Sequence, residues 1–375
     1  MDKNRLIGLI LISGILIFYT HFFGPEPTPI PTQEKSNTPI LVPAPDSLQA
    51  QAPTASAQHD HLAQAGKEEI PAQEVVLENS DIQVSFSSQG GMVKKVILKN
   101  YQDHQHQPLV LMDEQSNTMG FQFTANKTEI NTSHLQFATT DQHQYVQGKE
   151  LGTVSFTLDL GPGKYIRQTF TLPSQGYALS QYWEMVGLEN YIDQGTVKFV
   201  WHDLIKRAEN DLQACRNKST INYYLADHSF KQLKEHNDKQ EIKTVESPIQ
   251  WIAIKQRFFT AGLIAEQAFS NAHIVLTPTP QSSATVKEAQ VCLQLPASND
   301  QATSKGKFTF YFGPNDYQIL QGIAPGFSKN LPLGWPVVKW INQFLILPIF
   351  SFLEQYTSNY GLIILLLVVF IKLLL

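Results

Sequence analysis

One lysine interrupts the apolar run at the C-terminal end of this 375-residue chain. From Gly361 to Leu375 every residue is apolar except Lys372. A helix entering a membrane near Gly361 would carry Lys372 about 16 Å deep, close to the bilayer midplane. An ammonium there costs roughly 2.5–3.5 kcal/mol and needs a water-filled cavity or a partner group. The alternative is a lysine that snorkels toward the cytoplasmic end. Trp335 and Trp340, a little upstream, are side chains that favour the headgroup level of a bilayer.

Other candidate chemistry is thin. The sequence has no Walker A, HExxH, GxSxG or CxxC motif. His59/His61 and His104/His106 are HxH pairs in polar, Gln-rich stretches without a nearby third ligand, so no metal site is expected. His202-Asp203 follows Trp201 and reads either as a carboxylate–histidine pair or as a histidine at the edge of a core. Ser304 and Lys307 have SxxK spacing, but that chemistry needs one helical face and this stretch enters a strand. Cys215 and Cys292 either pair, closing a loop worth roughly 4 kcal/mol, or stay buried free thiols. The residues therefore imply no catalytic group, no metal and no cofactor.

Composition narrows the class. The chain has 28 basic and 33 acidic residues, a formal charge of −5 and 42% apolar residues. Mean hydropathy is −0.18. No Lys/Arg excess marks a nucleic-acid binder, and the apolar fraction excludes a helical bundle filling the whole chain. Two cysteines exclude a disulfide-rich scaffold.

The elements that must position these residues divide into five segments. Residues 1–23 read as an N-terminal transmembrane anchor: Lys3 and Arg5 precede the apolar run Leu6–Phe23, which orients the N-terminus to the cytoplasm. A cleaved signal peptide would need a small-x-small site where the chain instead reads Phe23-Gly24-Pro25-Glu26. Residues 24–70 form a Pro-rich linker, a semi-stiff tether. Residues 71–325 alternate with period two, as in Ile82, Val84 and Phe86 or Val154, Phe156 and Leu158, broken by turns such as Gly90-Gly91 and Gly161-Pro162-Gly163. Many strands at this spacing predict a large antiparallel sandwich, with a short helix near Ser229–Glu235. Residues 326–357 show a helical apolar period, with a kink at Pro348, and read as an amphipathic helix lying in the membrane interface. The alternative is a helix packed on the soluble domain. Residues 358–375 begin a second span, which is too short to cross and is expected to continue beyond Leu375.

Several local stretches carry a family resemblance. Ser88-Gln89-Gly90-Gly91-Met92-Val93, Pro248-Ile249-Gln250-Trp251-Ile252-Ala253, Gln256-Arg257-Phe258-Phe259 and Phe310-Tyr311-Phe312-Gly313-Pro314 resemble strands of the periplasmic domain of the YidC family of bacterial membrane protein insertases. Gly334-Trp335 through Pro348-Ile349-Phe350, and Ser358-Asn359-Tyr360-Gly361, are similar to its interfacial helix and second span. The resemblance is closest to the form in Bacteroidetes-like bacteria and strongest after about Ala324. It implies a galactose-mutarotase-like β super-sandwich in the periplasm, residues 24–357 outside an inner-membrane anchor, and a core of five further spans. That core forms a hydrophilic groove with one basic residue, whose register falls on Lys372. The family often has arginine there, and lysine keeps the charge but loses the bidentate geometry. The implied activity is non-enzymatic insertion of nascent membrane proteins, alone or with the Sec translocon. Ribosome contact would come through regions after Leu375; membrane lipids are partners and nucleic acid is not. Two other readings stand beside it: an anchored sugar-binding or mutarotase-like protein using Trp201, His202 and Asp203, and a periplasmic scaffold for the Sec machinery.

Overall fold

The computed structural model describes residues 71–374, apart from positions 126, 189–190, 281, 297–302, 335–339 and 358. The expected anchor, the Pro-rich linker and Trp335 lie outside these residues.

From residue 71 the chain folds as strands. A meander of β1 (Glu74–Glu78), β2 (Ile82–Ser87), β3 (Met92–Gln102) and β4 (Pro108–Met112) leads to the hairpin β5 (Asn117–Ala125) and β6 (Thr128–Asn131). The short β7 (Gln144–Tyr145) pairs in parallel with β1. A second meander follows, β8 (Leu151–Asp159), β9 (Tyr165–Pro173) and β10 (Ala178–Val186), then the long β11 (Ile192–Leu204) and the helix α1 (Leu212–Lys218). Next come β12 (Thr220–Leu225), β13 (Phe230–Gln232), β14 (Glu241–Val245), β15 (Ile249–Lys255) and β16 (Phe259–Phe269). The last strands are β17 (Asn271–Pro278), β18 (Lys287–Gln294) and β19 (Thr303–Pro314). Helix α2 (Tyr317–Ile323) then leads out of the β region.

These strands form three sheets. Their orders are β4-β3-β2-β1-β7, β13-β12-β15-β16-β19-β10-β9-β8, and β14-β17-β18-β11-β5-β6. The eight-stranded sheet is the common layer. Phe156 and Phe170 on its β8–β9 side meet Phe86 of the first sheet, with ring centroids 6.0 and 4.7 Å away. Trp183 and Phe308 on its middle strands meet Phe121 and Phe199 of the third sheet at 5.3 and 5.6 Å. Two smaller sheets therefore cover one face of the large one, and the aromatic rings fill the gap between the layers. At the β2–β3 turn Gly90 and Gly91 take φ of 84° and 60°, and a Cβ on Gly91 would lie 2.9 Å from the Phe137 ring. No other residue type fits that turn.

Alternation marks the strands with one covered face. In β8, Gly152, Val154, Phe156 and Leu158 are buried in turn, and in β9 Ile166, Gln168, Phe170 and Leu172. The β12, β15 and β16 strands are buried on both faces, which explains their near-continuous apolar sequences. Their second cover comes from the chain after β19. Phe327, in the 3-10 turn Phe327–Asn330, packs edge-on against Trp251 at 4.9 Å and Tyr311 at 5.4 Å. Tyr224 stacks on the Trp251 ring at 5.4 Å with planes 4° apart. The indole Nε1 donates to Pro325 O at 2.9 Å. Asn222 Nδ2 donates to Asn330 Oδ1 at 2.8 Å, and Asn330 Nδ2 to Phe327 O at 2.9 Å. Gly262 makes room for this: a Cβ there would sit 2.6 Å from Phe327 Cζ.

The short helix expected near Ser229–Glu235 is instead a turn and strand. Asp227 accepts from the Ser229 amide at 2.8 Å, and β13 then pairs with β12 through Asn222↔Gln232 to Tyr224↔Phe230. Local propensity loses here to the open edge of the sheet. The helix that does form, α1, is capped at its start by Asp211, which accepts from Ala214 N at 2.9 Å. Two buried lysines close its other end. Lys255 Nζ donates to Lys218 O at 3.0 Å, and Lys287 Nζ to Ser219 O at 2.9 Å. The unsatisfied carbonyls and negative dipole end of α1 make this favourable for cations taken out of water.

Replacing Phe327 by alanine is expected to cost about 3–5 kcal/mol, the range for a fully buried phenylalanine. Urea unfolding should show a lower midpoint, and limited proteolysis should open the segment between Pro325 and Leu331. Leu151→Ala, at an exposed strand position, is expected to stay within about 0.5 kcal/mol.

Candidate functional site

The chain beyond the 3-10 turn is helical. A helix described from Trp340 passes through a π-helical turn at Asn342–Ile346 into α3 (Leu347–Glu354). Pro348 sits just after the π turn, at the position where a kink was expected. A proline there lacks an N–H and crowds the carbonyl four residues back, and a widened turn relieves both defects. Asn342 Nδ2 donates to Leu333 O at 3.1 Å, and Gln318 of α2 hydrogen-bonds Ser351 of α3. The helical segment is thus tied to the β region by polar side chains.

Helix α4 (Tyr360–Leu374) begins with a built cap. Asn359 Oδ1 accepts from Leu362 N at 3.2 Å, and Thr357 Oγ1 from Asn359 N at 3.2 Å. Tyr360 binds back to α3: its hydroxyl donates to Glu354 Oε1 at 3.0 Å, and its ring stacks with Phe350 at 6.0 Å. Lys372 lies in the last turn of α4, exposed on the helix surface. At 15 residues, α4 is about 22 Å long. Among the described residues no helix is long and apolar enough to cross a membrane.

Exposure separates this segment from the rest. Apart from Tyr145, Leu151, Tyr182, Ile242 and Phe258, every exposed large apolar side chain among the described residues lies between Trp340 and Leu373. Trp340 is 63% exposed, Phe344 61% and Phe352 56%. The alternative of a helix that hides its apolar stripe on the β region does not describe α3 or the turn before it. A continuous apolar surface of this kind marks contact with lipid or with further protein.

The other candidates do not converge. Trp201 is buried, and its Nε1 donates to Asn117 Oδ1 at 3.0 Å. His202 and Asp203 are neighbours on β11, so their side chains leave opposite faces and do not form the expected pair. His202 Nε2 instead meets Glu288 Oε1 at 2.8 Å on the open face of the third sheet. Asp203 points inward, near the ion pair of Asp113 with Lys206, and its Oδ1 has no hydrogen-bond partner. Ser304 and Lys307 are three apart on β19 and point to opposite faces. His104 and His106 occupy the β3–β4 turn, where Asp103 Oδ1 accepts from the amides of Gln105 and Gln107 at 2.8 and 3.0 Å. Among the described residues no group of three or more His, Cys, Asp or Glu side chains could hold a metal. Cys215, in α1, and Cys292, on β18 opposite His273, are both free thiols. A polar cleft of about 330 Å³ lies beside Lys94, Lys95, Ser85, Ser87, Glu74 and Glu114, and none of the sugar-site candidates lines it.

Sequence reasoning did not single out Lys255 and Lys287. Both ammonium groups are depressed by burial, that of Lys287 to about 8, partly offset by Glu235. Their only sequence signal is a lysine on the buried side of a strand.

The family model of the YidC periplasmic domain matches residues 74–348. A membrane protein insertase YidC from Amoebophilus asiaticus is 55% identical over 377 residues, covering 100% of this chain and 63% of that protein. One from Cytophaga hutchinsonii is 31% identical, covering 97% of this chain and 60% of the relative. The chain thus spans somewhat under two thirds of these relatives' length. Among solved structures, a galactose mutarotase-like protein from Lactobacillus casei aligns over 64% of this chain and 100% of its own, with 11% identity and a TM-score of 0.40.

Asp203 makes a pH prediction. Burial, reinforced by Asp113 and opposed by Lys206, pushes its carboxyl up to about 8. The folded state therefore holds a proton that the unfolded chain releases near pH 4. The stabilisation is complete below about pH 4 and is lost as pH rises to about 8, with a slope of at most about 1.4 kcal/mol per pH unit. Asp203→Asn is expected to flatten this part of the urea-stability profile. Lys287 acts above pH 8 with the opposite sign, so it does not mask the effect. An unchanged slope in the variant would show that Asp203 is ionised in the folded protein.

Proposed function

The chain belongs to the YidC family, and from that premise we propose that it is the anchor, periplasmic domain and groove-proximal portion of a membrane protein insertase. The observation that carries this reading is the concentration of exposed apolar surface in Trp340–Leu373, with a single lysine inside it. In this reading residues 1–23 anchor the chain in the bacterial inner membrane with the N-terminus in the cytoplasm. Residues 24–70 tether the β domain of residues 71–325, and residues 326–357 bring the chain to the outer membrane–water interface. Trp335 and Trp340 sit at the headgroup level, and residues 358–375 enter the bilayer.

Lys372 is then the basic group of the insertion groove. From Gly361 it lies about 16 Å into the bilayer, where a cation persists only beside water or a counter-charge. Its function is electrostatic. It attracts the acidic, short outer segment of a nascent membrane protein, which lowers the cost of carrying that segment across hydrocarbon. The client's apolar helix then partitions into lipid through the hydrophobic effect. No bond is made or broken. The Sec translocon and the ribosome are partners in this scheme, the latter through regions after Leu375. The sugar-binding reading finds no converging group: Trp201 is buried and His202 is engaged by Glu288.

The test uses the full-length insertase in proteoliposomes with clients whose outer segments carry or lack acidic residues. Lys372→Ala is expected to reduce insertion of the acidic clients about tenfold, the equivalent of roughly 1.4 kcal/mol of lost attraction. Lys372→Arg should retain insertion, and neutral clients should be much less affected. Equal insertion of acidic clients by wild type and Lys372→Ala would remove Lys372 from the groove.

A further inference from the structure

The hairpin between β15 and β16 ends in Arg257 and Phe258, and Phe258 is 50% exposed at its tip. A lone exposed phenylalanine usually needs no explanation, but this one is rigidly held. Asn315 Nδ2 donates to Gln256 O at 3.0 Å, Arg257 O at 3.2 Å and Phe259 O at 3.4 Å. The Asn315 amide donates to Phe258 O at 2.7 Å, and Thr260 Oγ1 donates to Asn315 Oδ1 at 2.5 Å. One residue, through its side chain and its backbone amide, thus ties down every residue of the turn.

The same residue joins the turn to the helical segment. Asp316, which follows Asn315, caps α2 by accepting from Gln318 N and Ile319 N at 2.8 and 3.0 Å. Gln318, in the first turn of α2, bonds Ser351 in the middle of α3. Tyr101 packs edge-on against Phe259 at 5.2 Å, and Tyr360 hydrogen-bonds Glu354 of α3. Phe258 is therefore connected through one residue and one helical turn to the helices that carry the exposed apolar surface.

We propose that the Arg257–Phe258 hairpin tip is a second membrane contact, inserting Phe258 into the interfacial zone of the same bilayer leaflet that receives α3. This rests on the reading that Trp340–Leu373 meets lipid. The contact is apolar rather than charge-driven. Arg257 lies over the Phe258 ring at 4.8 Å and pairs with Glu209 at 2.8 Å, and Asp316 and Asp211 add negative charge nearby. The tip therefore offers a bilayer an aromatic ring and no surplus of positive charge. With α3 it would give the β domain two attachment points and so fix its tilt on the membrane.

Photo-crosslinking tests this on the full-length wild-type protein reconstituted in phosphatidylcholine vesicles. A fraction of the lipid carries a diazirine close to the glycerol backbone, and adducts are mapped by mass spectrometry. Adducts are expected on the Gln256–Phe259 peptide and on Trp340–Glu354, and to be lost from the hairpin in Phe258→Ser. The turn around Pro162 serves as the distant control: it lies at the Thr303 end of the eight-stranded sheet, about 36 Å from the Pro314 end. Adducts on α3 with none on the hairpin would overturn the second contact and leave the membrane reading intact. Adducts on neither would overturn both. Equal labelling of hairpin and control turn would mean non-specific exposure to lipid and would also overturn the proposal.

Discussion

The packing of Phe327 against Trp251 is the contact on which the rest of the arrangement depends. It covers the outer face of the large sheet where strands β12, β15, β16 and β19 are already covered from within. Without it, Trp251, Tyr224 and Tyr311 would face water from the middle of a sheet. The same contact fixes the path of the chain as it leaves the β domain, because the indole also holds Pro325 and the neighbouring Asn222 holds Asn330. The stability of the domain and the placement of α3 are therefore consequences of one cluster. Its geometry needs Gly262 to leave room for a ring.

Polar groups inside the domain follow a different logic. Gln168 and Gln181 bond each other at 2.9 Å between the sheets, and Gln168 also reaches Gly90 O at the β2–β3 turn. Lys255 and Lys287 give up water for the carbonyl end of α1. Arg216 of the same helix reaches Pro280 O, Ser283 O and Thr285 O, holding the β17–β18 loop. Apart from the Gln181–Gln168 side-chain bond, these buried donors act on backbone oxygens, so they join layers rather than form a reactive centre. Asp203 differs from these donors: it is a buried acid with an unpartnered oxygen, and burial together with the nearby Asp113 raises its carboxyl toward the neutral form.

The helical segment after Trp340 obeys neither rule. Most of its large apolar side chains are exposed or half-buried, and polar pairs, Gln318 of α2 with Ser351 and Tyr360 with Glu354, make the links between helices. In water this inverts the usual balance, and at a lipid surface it is the stable one. Under the proposed membrane reading, the β domain and the helices face two solvents, joined by the 3-10 turn that packs on Trp251.

Much of this was legible from residue order. Period-two alternation located β8, β9 and β10 because one face of each is covered and the other is not. The apolar run around Lys372 was visible because hydrophobic length is a local property. The β12 strand escaped notice because cover on both faces erases alternation, and Ser229–Glu235 read as helix because the turn that folds it back on β12 at Ala226–Ser229 carries neither glycine nor proline. His202 and Asp203 looked like a pair because adjacency in sequence says nothing of the pleat that sends them apart. The buried lysines at α1 could not be read at all, since their partners are carbonyls 37 and 68 residues away. Composition and local period determined which solvent each segment prefers. Only tertiary structure decided which buried polar groups meet, because each such meeting requires two distant segments to reach the same few ångströms.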